Sequence, residues 1–193
     1  MNRRDAENAE PRRENTWTAG TPRSAAECDS IAGPARLSMV VIREFQREDF
    51  ESAYRLDQSC YEPGIAYSRF ALAEFLSLPG AAAWVSEEES QLAPPTAGLS
   101  GFIIVRQMGR GRGHVITLDV REEKRRRGVG SRLLATAEDW LRKRGVRRVR
   151  LETAVTNEAA LAFWQRAGFE ATAVLPRYYL GREDAYRMEK ELG

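Results

Sequence analysis

The sequence is poor in the residues that mark several common classes of protein. Two cysteines among 193 residues, Cys28 and Cys60, are too few for a disulfide framework. Nowhere do about twenty apolar residues run together, and residues 1–15 are rich in Arg, Glu and Asn. These absences argue against secretion and membrane insertion, so we expect a cytoplasmic protein without a membrane partner.

Histidine is also scarce, since His114 is the only one in the chain. A hydrolase of the Ser/His/Asp or Cys/His type would need it as its base, and a zinc site would have to recruit both cysteines at an unrelated spacing. We therefore expect no bound metal. His114 itself is interpreted as a polar residue at the mouth of a strand.

The chain has little excess charge of either sign, because 30 Lys and Arg residues face 28 Asp and Glu residues. Only a local cluster of arginines could favour phosphate, and no global field does. An RNA-binding module could use such clusters, but the sequence lacks an aromatic strand motif for stacking bases. We expect no nucleic-acid partner.

The composition divides the chain into a tail and one medium-sized domain. Residues 1–38 show no lasting apolar periodicity, so we expect a disordered tail there and a single folded domain over residues 39–193. Met39 directly precedes the first strand pattern and is an alternative translation start.

From residue 40 onward, strand and helix patterns alternate. Ser68 is a predicted N-cap, Pro63 and Gly64 interrupt the loop before it, and the Gly-rich stretch 109–113 favours a hairpin. The predicted order βααββ followed by βαβαββ indicates an α/β fold, an α+β mixed sheet flanked by helices. Strands are predicted at 40–45, 81–86, 99–108, 114–120, 149–153, 169–175 and 185–192, and helices at 49–59, 68–78, 128–144 and 158–167.

The most informative segment is 120–134, where a strand ends, three arginines and Gly128-Val129-Gly130 follow, and a helix begins. A helix N-terminus offers unpaired N–H groups, and glycines let the backbone approach a pyrophosphate. Ser131 and Arg132 stand where a P-loop needs Lys and Ser or Thr, and Leu133 occupies the third glycine of a dinucleotide fingerprint. The segment therefore predicts an anion cradle of neither common nucleotide type.

Residues 125–130 (RRRGVG) and 157–169 (NEAALAFWQRAGF) resemble the two signatures of the GCN5-related N-acetyltransferase (GNAT) superfamily, with Trp164 at a tyrosine position. The likeness covers essentially residues 40–192. It implies the acyl-CoA N-acyltransferase fold, acetyl-CoA as the cofactor, and an acetyl-CoA-dependent N-acetyltransferase. The residues that it marks for the cofactor are Leu118, Val120, Arg125, Arg126, Arg127, Gly128, Val129, Gly130, Ser131, Asn157 and Trp164.

Within that superfamily the paired tyrosines and the segment 181–185 (GREDA) resemble the RimI-like protein N-terminal acetyltransferases. The resemblance implies a protein or peptide N-terminus as acceptor, with a ribosomal protein as one candidate. We expect a monomer or a homodimer. It marks two loops for the acceptor: Glu62, Pro63, Gly64, Ile65 and Tyr67 in the first, and Tyr178 and Tyr179 in the second.

The resemblance further implies direct attack of the amine on the thioester, assisted by a carboxylate base. Glu152 is the first candidate, because it matches the glutamate proposed in RimI-like enzymes and alternates away from the core-facing Leu151. Asp119 is the second, although the alternation leaves open that it only points to solvent.

The proton donor to the leaving thiolate is where the match fails. The family's tyrosine aligns with Trp164, and an indole N–H does not release its proton near neutral pH. Water or Tyr178 is the expected substitute. Two alternatives stay open: a small-molecule amine or lysine acetyltransferase, and a catalytically inactive acyl-CoA-binding regulator.

Overall fold

A computed structural model describes residues 39–61, 64–89 and 98–193. The expected tail, residues 1–38, lies outside these ranges, so the expected domain boundary stays a prediction. Within them the predicted order of elements is confirmed, with strands β1 (Met39–Glu44), β2 (Ala81–Glu89), β3 (Gly101–Met108), β4 (Arg112–Val120), β5 (Arg148–Ala154), β6 (Glu170–Tyr179) and β7 (Glu183–Glu191), and helices α1 (Phe50–Cys60), α2 (Arg69–Ser77), α3 (Val129–Arg142) and α4 (Glu158–Arg166).

The strands form one seven-stranded sheet in the order β1-β2-β3-β4-β5-β7-β6. The pair β4–β5 is parallel and the other neighbours are antiparallel. The parallel pair requires a crossover, which α3 supplies. This architecture confirms the expected mixed sheet flanked by helices.

The helices cover the sheet on both faces, so its core has two layers. On one face α3 and α4 bury an apolar cluster that includes Val129, Leu133 and Trp164. On the other face α1 and α2 bury a smaller cluster around Leu72 and Phe102. We call the second face the α1/α2 face.

Helix ends follow the sequence closely. The Ser68 side chain accepts a hydrogen bond from the Ala71 N–H and caps α2, and Asn157 does the same for α4 through the Ala160 N–H. The Ser68 cap was predicted, and each cap fixes where a loop of the candidate site meets its helix.

Candidate active site

The two central strands part from each other in the middle of the sheet. Among the described residues, β4 pairs with β5 only where residues 112–114 lie beside residues 148–150. Both strands continue beyond this point, β4 to Val120 and β5 to Ala154. A cleft therefore opens beyond His114 and Arg150. Strand edges that line such a cleft present backbone N–H and C=O groups to an extended ligand.

The N-terminus of α3 lies at the end of β4. Gly128 is its N-cap, with a left-handed φ of 81° and no hydrogen bond from a capping side chain, and the first backbone bond of the helix runs from the Arg132 N–H to the Gly128 carbonyl. The N–H groups of residues 129–131 thus point out of the helix end, where its dipole is positive. This is the geometry of an anion cradle.

The surroundings of the cradle are tight on one side and open on the other. A Cβ built on Gly130 lies 3.4 Å from the Phe163 ring and 3.5 Å from Val120, whereas one built on Gly128 meets no atom within 4 Å. Gly130 therefore lets α3 pack closely against α4. Gly128 keeps the approach to the helix end clear.

The three arginines before the cradle are not equivalent. Arg125 donates from Nε to the Val120 carbonyl at 3.0 Å, so it folds back over the end of β4. Arg126 and Arg127 are exposed. It stays a prediction that these arginines contact the phosphates of the cofactor. The cofactor contacts expected of Leu118, Val120 and Ser131 stay predictions as well.

Trp164 is buried, with 7% of its surface exposed, and its ring lies against those of Phe163 and Phe169 at centroid distances of 4.8 and 5.3 Å. The ring that reaches the cradle is Phe163. Trp164 is therefore a core residue behind the cradle, and a contact of its own to the pantetheine arm stays a prediction.

A β-bulge in β4 determines which side chains face the acceptor side. The register with β3 slips by one residue at Ile116, so that Val105 pairs with Val115 but Ile104 pairs with Thr117. Side chains alternate in a strand, and one extra residue exchanges the two faces beyond it. His114, before the bulge, and Asp119, after it, consequently share the α1/α2 face.

Glu152 lies at the centre of an ionic cluster on this face. Its Oε2 is 2.7 Å from His114 Nε2, and its Oε1 is 3.6 Å from Arg187 Nε and 3.8 Å from Arg150 Nε. Burial tends to raise the pKa of Glu152, but the hydrogen bond with His114 and the charges of His114, Arg150 and Arg187 outweigh it and hold the pKa below its usual value. The carboxylate is therefore anionic at neutral pH.

Asp119 is buried beneath α1 rather than pointing to solvent, with 1% of its surface exposed, which corrects the alternative left open by the sequence. Its Oδ2 accepts a hydrogen bond from Thr117, and its Oδ1 has no partner within the described ranges. Burial, together with the negative charge of the buried Asp57, raises the pKa of Asp119 to about 7. This pKa suits a general base, but solvent does not reach the carboxylate.

The two loops marked for the acceptor approach each other over this face. A Cβ built on Gly64 lies 3.5 Å from Leu180. Tyr67 donates to the Ile116 carbonyl at 3.2 Å, and Tyr179 donates to the Glu152 carbonyl at 3.3 Å. Tyr178 packs edge-on against Tyr179 and is 50% exposed.

The loop before α2 is only partly described. Gly64, Ile65 and Tyr67 belong to the described residues, whereas Glu62 and Pro63 fall outside them. Their expected roles at the acceptor stay predictions.

A sequence profile of the acetyltransferase (GNAT) family matches residues 42–169, about two thirds of the chain. The chain belongs to this family. The expected family and fold are thereby confirmed, and acetyl-CoA is the acetyl donor of GNAT enzymes.

Individual GNAT proteins resemble the chain to different extents. N-alpha-acetyltransferase 30 of Schizosaccharomyces pombe is 40% identical over 76 residues, which cover 39% of this chain and 51% of that protein. The chain thus spans about half the length of this relative. The crystal structure of Ard1 from Thermoplasma volcanium is 29% identical with a TM-score of 0.67, over 79% of this chain and 97% of that one.

The ribosomal-protein-S18-alanine N-acetyltransferase of Escherichia coli also superimposes on this GNAT chain, with a TM-score of 0.67 and 24% identity over 80% of this chain and 95% of that one. At this identity the likeness shows the shared fold.

The residue that sequence reasoning passed over in this GNAT domain is His114. Its position before the strand that leads to the cradle gave no sign of a partner, because the parallel register that brings it to Glu152 depends on the whole β4–α3–β5 crossover. The sequence offered one signal for this contact: His114 is a polar residue directly before an apolar strand, and that strand was expected to lie beside the strand of Glu152.

The described residues were searched for metal-ligand groups and for helices that could span a membrane. Among residues 39–61, 64–89 and 98–193, no group of three or more His, Cys, Asp or Glu side chains could hold a metal ion. No helix in these ranges is long and apolar enough to cross a membrane.

An Asp119→Asn variant is expected to be more stable than the parent at pH 8. Because the folded pKa of about 7 exceeds the ordinary 3.8, the folded state binds more protons between these values, and the free energy of unfolding falls as the pH rises through them. The full cost above pH 7 is about 4 kcal/mol, since each pH unit corresponds to about 1.4 kcal/mol. Asn can still accept the Thr117 hydrogen bond.

Thermal melting of parent and Asp119→Asn at pH 5 and pH 8 tests this stability effect. The variant's advantage should be larger at pH 8 than at pH 5. A variant that melts below the parent at both values would show that the Asp119 carboxylate stabilises the fold.

Proposed function

We propose that this chain transfers the acetyl group of acetyl-CoA to the α-amine at the N-terminus of a protein. The observation that carries the proposal is the arrangement of the cleft. The α3 anion cradle lies at one end of β4, and the Glu152 cluster lies where β4 and β5 part, beneath the loop that carries Tyr67 and the end of β6 that carries Tyr178 and Tyr179. A donor and an acceptor would meet between them.

The cradle fits the pyrophosphate of coenzyme A. Three outward N–H groups at residues 129–131, the clear approach at Gly128 and the exposed Arg126 and Arg127 offer donors and positive charge to a diphosphate. Acetyl-CoA, when bound, supplies an acyl carbon joined to a thiolate leaving group. The parted edges of β4 and β5 would hold the arm that connects the two ends.

The acceptor side suits an extended peptide. Tyr67, Tyr178 and Tyr179 stand close enough to interact electrostatically with one another, and they surround the approach to Glu152. Aromatic walls with hydroxyl groups bind a peptide backbone without demanding one particular side chain. An acceptor that enters here presents its terminal amine to the Glu152 cluster.

The cluster supplies the chemistry that an α-amine needs. An α-ammonium has a pKa near 8, against about 10.4 for a lysine side chain, so less assistance removes its proton at neutral pH. We assign this step to the ionic centre of Glu152, with Asp119 as the second candidate base. Burial and the Glu152 charge raise the pKa of Tyr178, so its phenol keeps a proton that it can give to the thiolate.

The comparisons support the acceptor class. Relatives from yeast and archaea are named N-alpha-acetyltransferases, and one protein of the same fold is named for the alanine of ribosomal protein S18. A ribosomal protein is accordingly one candidate acceptor. The low cysteine content supports a cytoplasmic site of action.

A peptide library tests the proposal. The protein is incubated with acetyl-CoA and peptides that vary in their first two residues, and mass spectrometry locates the acetyl group. We expect it on the α-amine, with the same peptides carrying a blocked N-terminus and an internal lysine as the control. Acetylation of the blocked peptides or of small amines instead would assign the chain to another acceptor class, and binding without transfer would make it an acyl-CoA-binding regulator.

A further inference from the structure

His114 stands between the solvent and the carboxylate of Glu152. The imidazole is 24% exposed and the carboxylate side chain 8% exposed, and the two are joined by the 2.7 Å contact from Nε2 to Oε2. His114 is also the last residue of β4 paired with β5, so it lies at the base of the cleft. Of the two partners, the imidazole is the one that an incoming amine can touch.

The carboxylate of Glu152 is already engaged on both oxygens. Oε2 binds His114, while Oε1 faces the guanidinium groups of Arg150 and Arg187. A carboxylate surrounded in this way is a weak proton acceptor and a strong anchor for a neighbouring cation. Its surroundings suit it to hold and orient His114.

We propose that His114 is the group that accepts the proton of the acceptor amine, and that Glu152 is a positioning residue that orients the imidazole and stabilises its protonated form. This inference rests on the proposed amine acetylation and sharpens its chemistry. With Nε2–H donated to Glu152, the second ring nitrogen, Nδ1, is left to take the proton.

The acceptor ammonium loses two protons when it becomes an amide. One ammonium proton passes to Nδ1 of His114, and the imidazolium later releases it to water. The neutral nitrogen forms the amide bond to the acetyl carbon as the carbon–sulfur bond breaks. Tyr178 protonates the departing thiolate, and the second proton of the nitrogen restores the phenol. The products are the amide, the thiol and one proton in solution.

Groups from three neighbouring strands face the imidazole and enter its titration. Glu152 favours the imidazolium, and the surrounding arginines oppose it. The groups on this face are Arg106 of β3, Arg150 and Glu152 of β5, and Arg187 and Glu189 of β7, with Tyr178 of β6 beside Glu152.

Because His114 is the sole histidine of the chain, proton NMR of the untagged protein follows its ring without any assignment step. We expect the ring signals of His114 to move in the Glu152→Gln variant at a fixed pH, since the charged hydrogen-bond partner of Nε2 is lost. Unchanged ring signals would overturn the dyad, whatever the enzyme acetylates.

Kinetics test the proton transfer itself. His114→Gln is expected to lower kcat/KM at pH 7 by about 10² or more, the usual range for lost general-base assistance. The parent should reach half of its maximal kcat/KM at the pH where the ring titrates by NMR, whereas His114→Gln should reach it near pH 8, where the amine deprotonates unaided. Lys143→Gln, an exposed charge change at the end of α3 on the opposite face of the sheet, is the control and should keep both the rate and the pH profile.

The alternative outcomes are separable. A His114→Gln variant with the parental rate and pH profile refutes the proposal, and one with a lower melting temperature but the parental profile assigns His114 a structural role only. If the parent prefers lysine or small amines, the proposed acceptor is wrong, and the His114 comparison is then made with that amine.

Discussion

A Gly128→Leu variant is expected to lose acetyl-CoA affinity by at least about 100-fold. The new side chain would occupy the approach to the N–H groups of residues 129–131, and Gly128 has a φ of 81° that other residues adopt only with strain. Two or three hydrogen bonds to a charged pyrophosphate are each worth about 1.5–3 kcal/mol, which corresponds to a factor of this size. Isothermal calorimetry with acetyl-CoA measures the loss.

The chain provides a matched control at the other end of the same helix. Gly145 also has a left-handed φ, 74°, and a Cβ built there meets no atom within 4 Å. Gly145→Leu therefore imposes a comparable backbone strain, while leaving the cradle untouched. If both variants bind acetyl-CoA like the parent, the pyrophosphate lies elsewhere; if both fail, the loss comes from strain in α3.

Most helices and strands could be predicted from the sequence, because the spacing of apolar residues within each segment determines which secondary structure buries them. The apolar stripe of α3 comprises Val129, Leu133, Ala137, Trp140 and Leu141, and all of these are buried except Trp140, which is partly buried against the same core. Predicted strand ends differ from the observed ends by a few residues, as expected where ladder pairing continues past the apolar pattern.

Features that depend on distant parts of the chain were not predictable. Glu138 is buried in α3 because Lys190, 52 residues later, and Arg142 bind its two carboxylate oxygens. The bulge at Ile116 is set by the pairing of β3 with β4, so simple alternation could not say on which face Asp119 lies.

The candidate site divides in the same way. The cradle is one continuous segment, and its strand–glycine–helix order is visible in the sequence. The Glu152 cluster draws on β4, β5 and β7, so its members are joined only by the sheet order. Glu152 could be selected by resemblance, whereas its contact with His114 is formed only by the folded sheet.

Glu152→Gln is expected to slow acetyl transfer by about 10² to 10⁴ while leaving acetyl-CoA affinity nearly unchanged. The amide cannot hold the charge that stabilises a proton accepted at this centre, yet it has nearly the same shape. Raising the pH should restore part of the rate, because a larger share of the acceptor α-amine is then already neutral. Single-turnover kinetics between pH 6 and 9, with calorimetry of acetyl-CoA binding, separate the two effects.

Two further variants show whether a loss of rate in Glu152→Gln reflects the proton transfer or another residue of the site. Trp164→Phe changes a buried ring of the core and should alter the rate far less, since the indole is not the acid that protonates the thiolate. Asp119→Asn removes the other buried carboxylate on the same face. Near-parental turnover in Glu152→Gln, combined with an inactive Asp119→Asn that still binds acetyl-CoA, would transfer the proton-accepting role to Asp119. Its pKa of about 7 would then reflect catalysis, and the α1 helix above it would have to move to admit the amine.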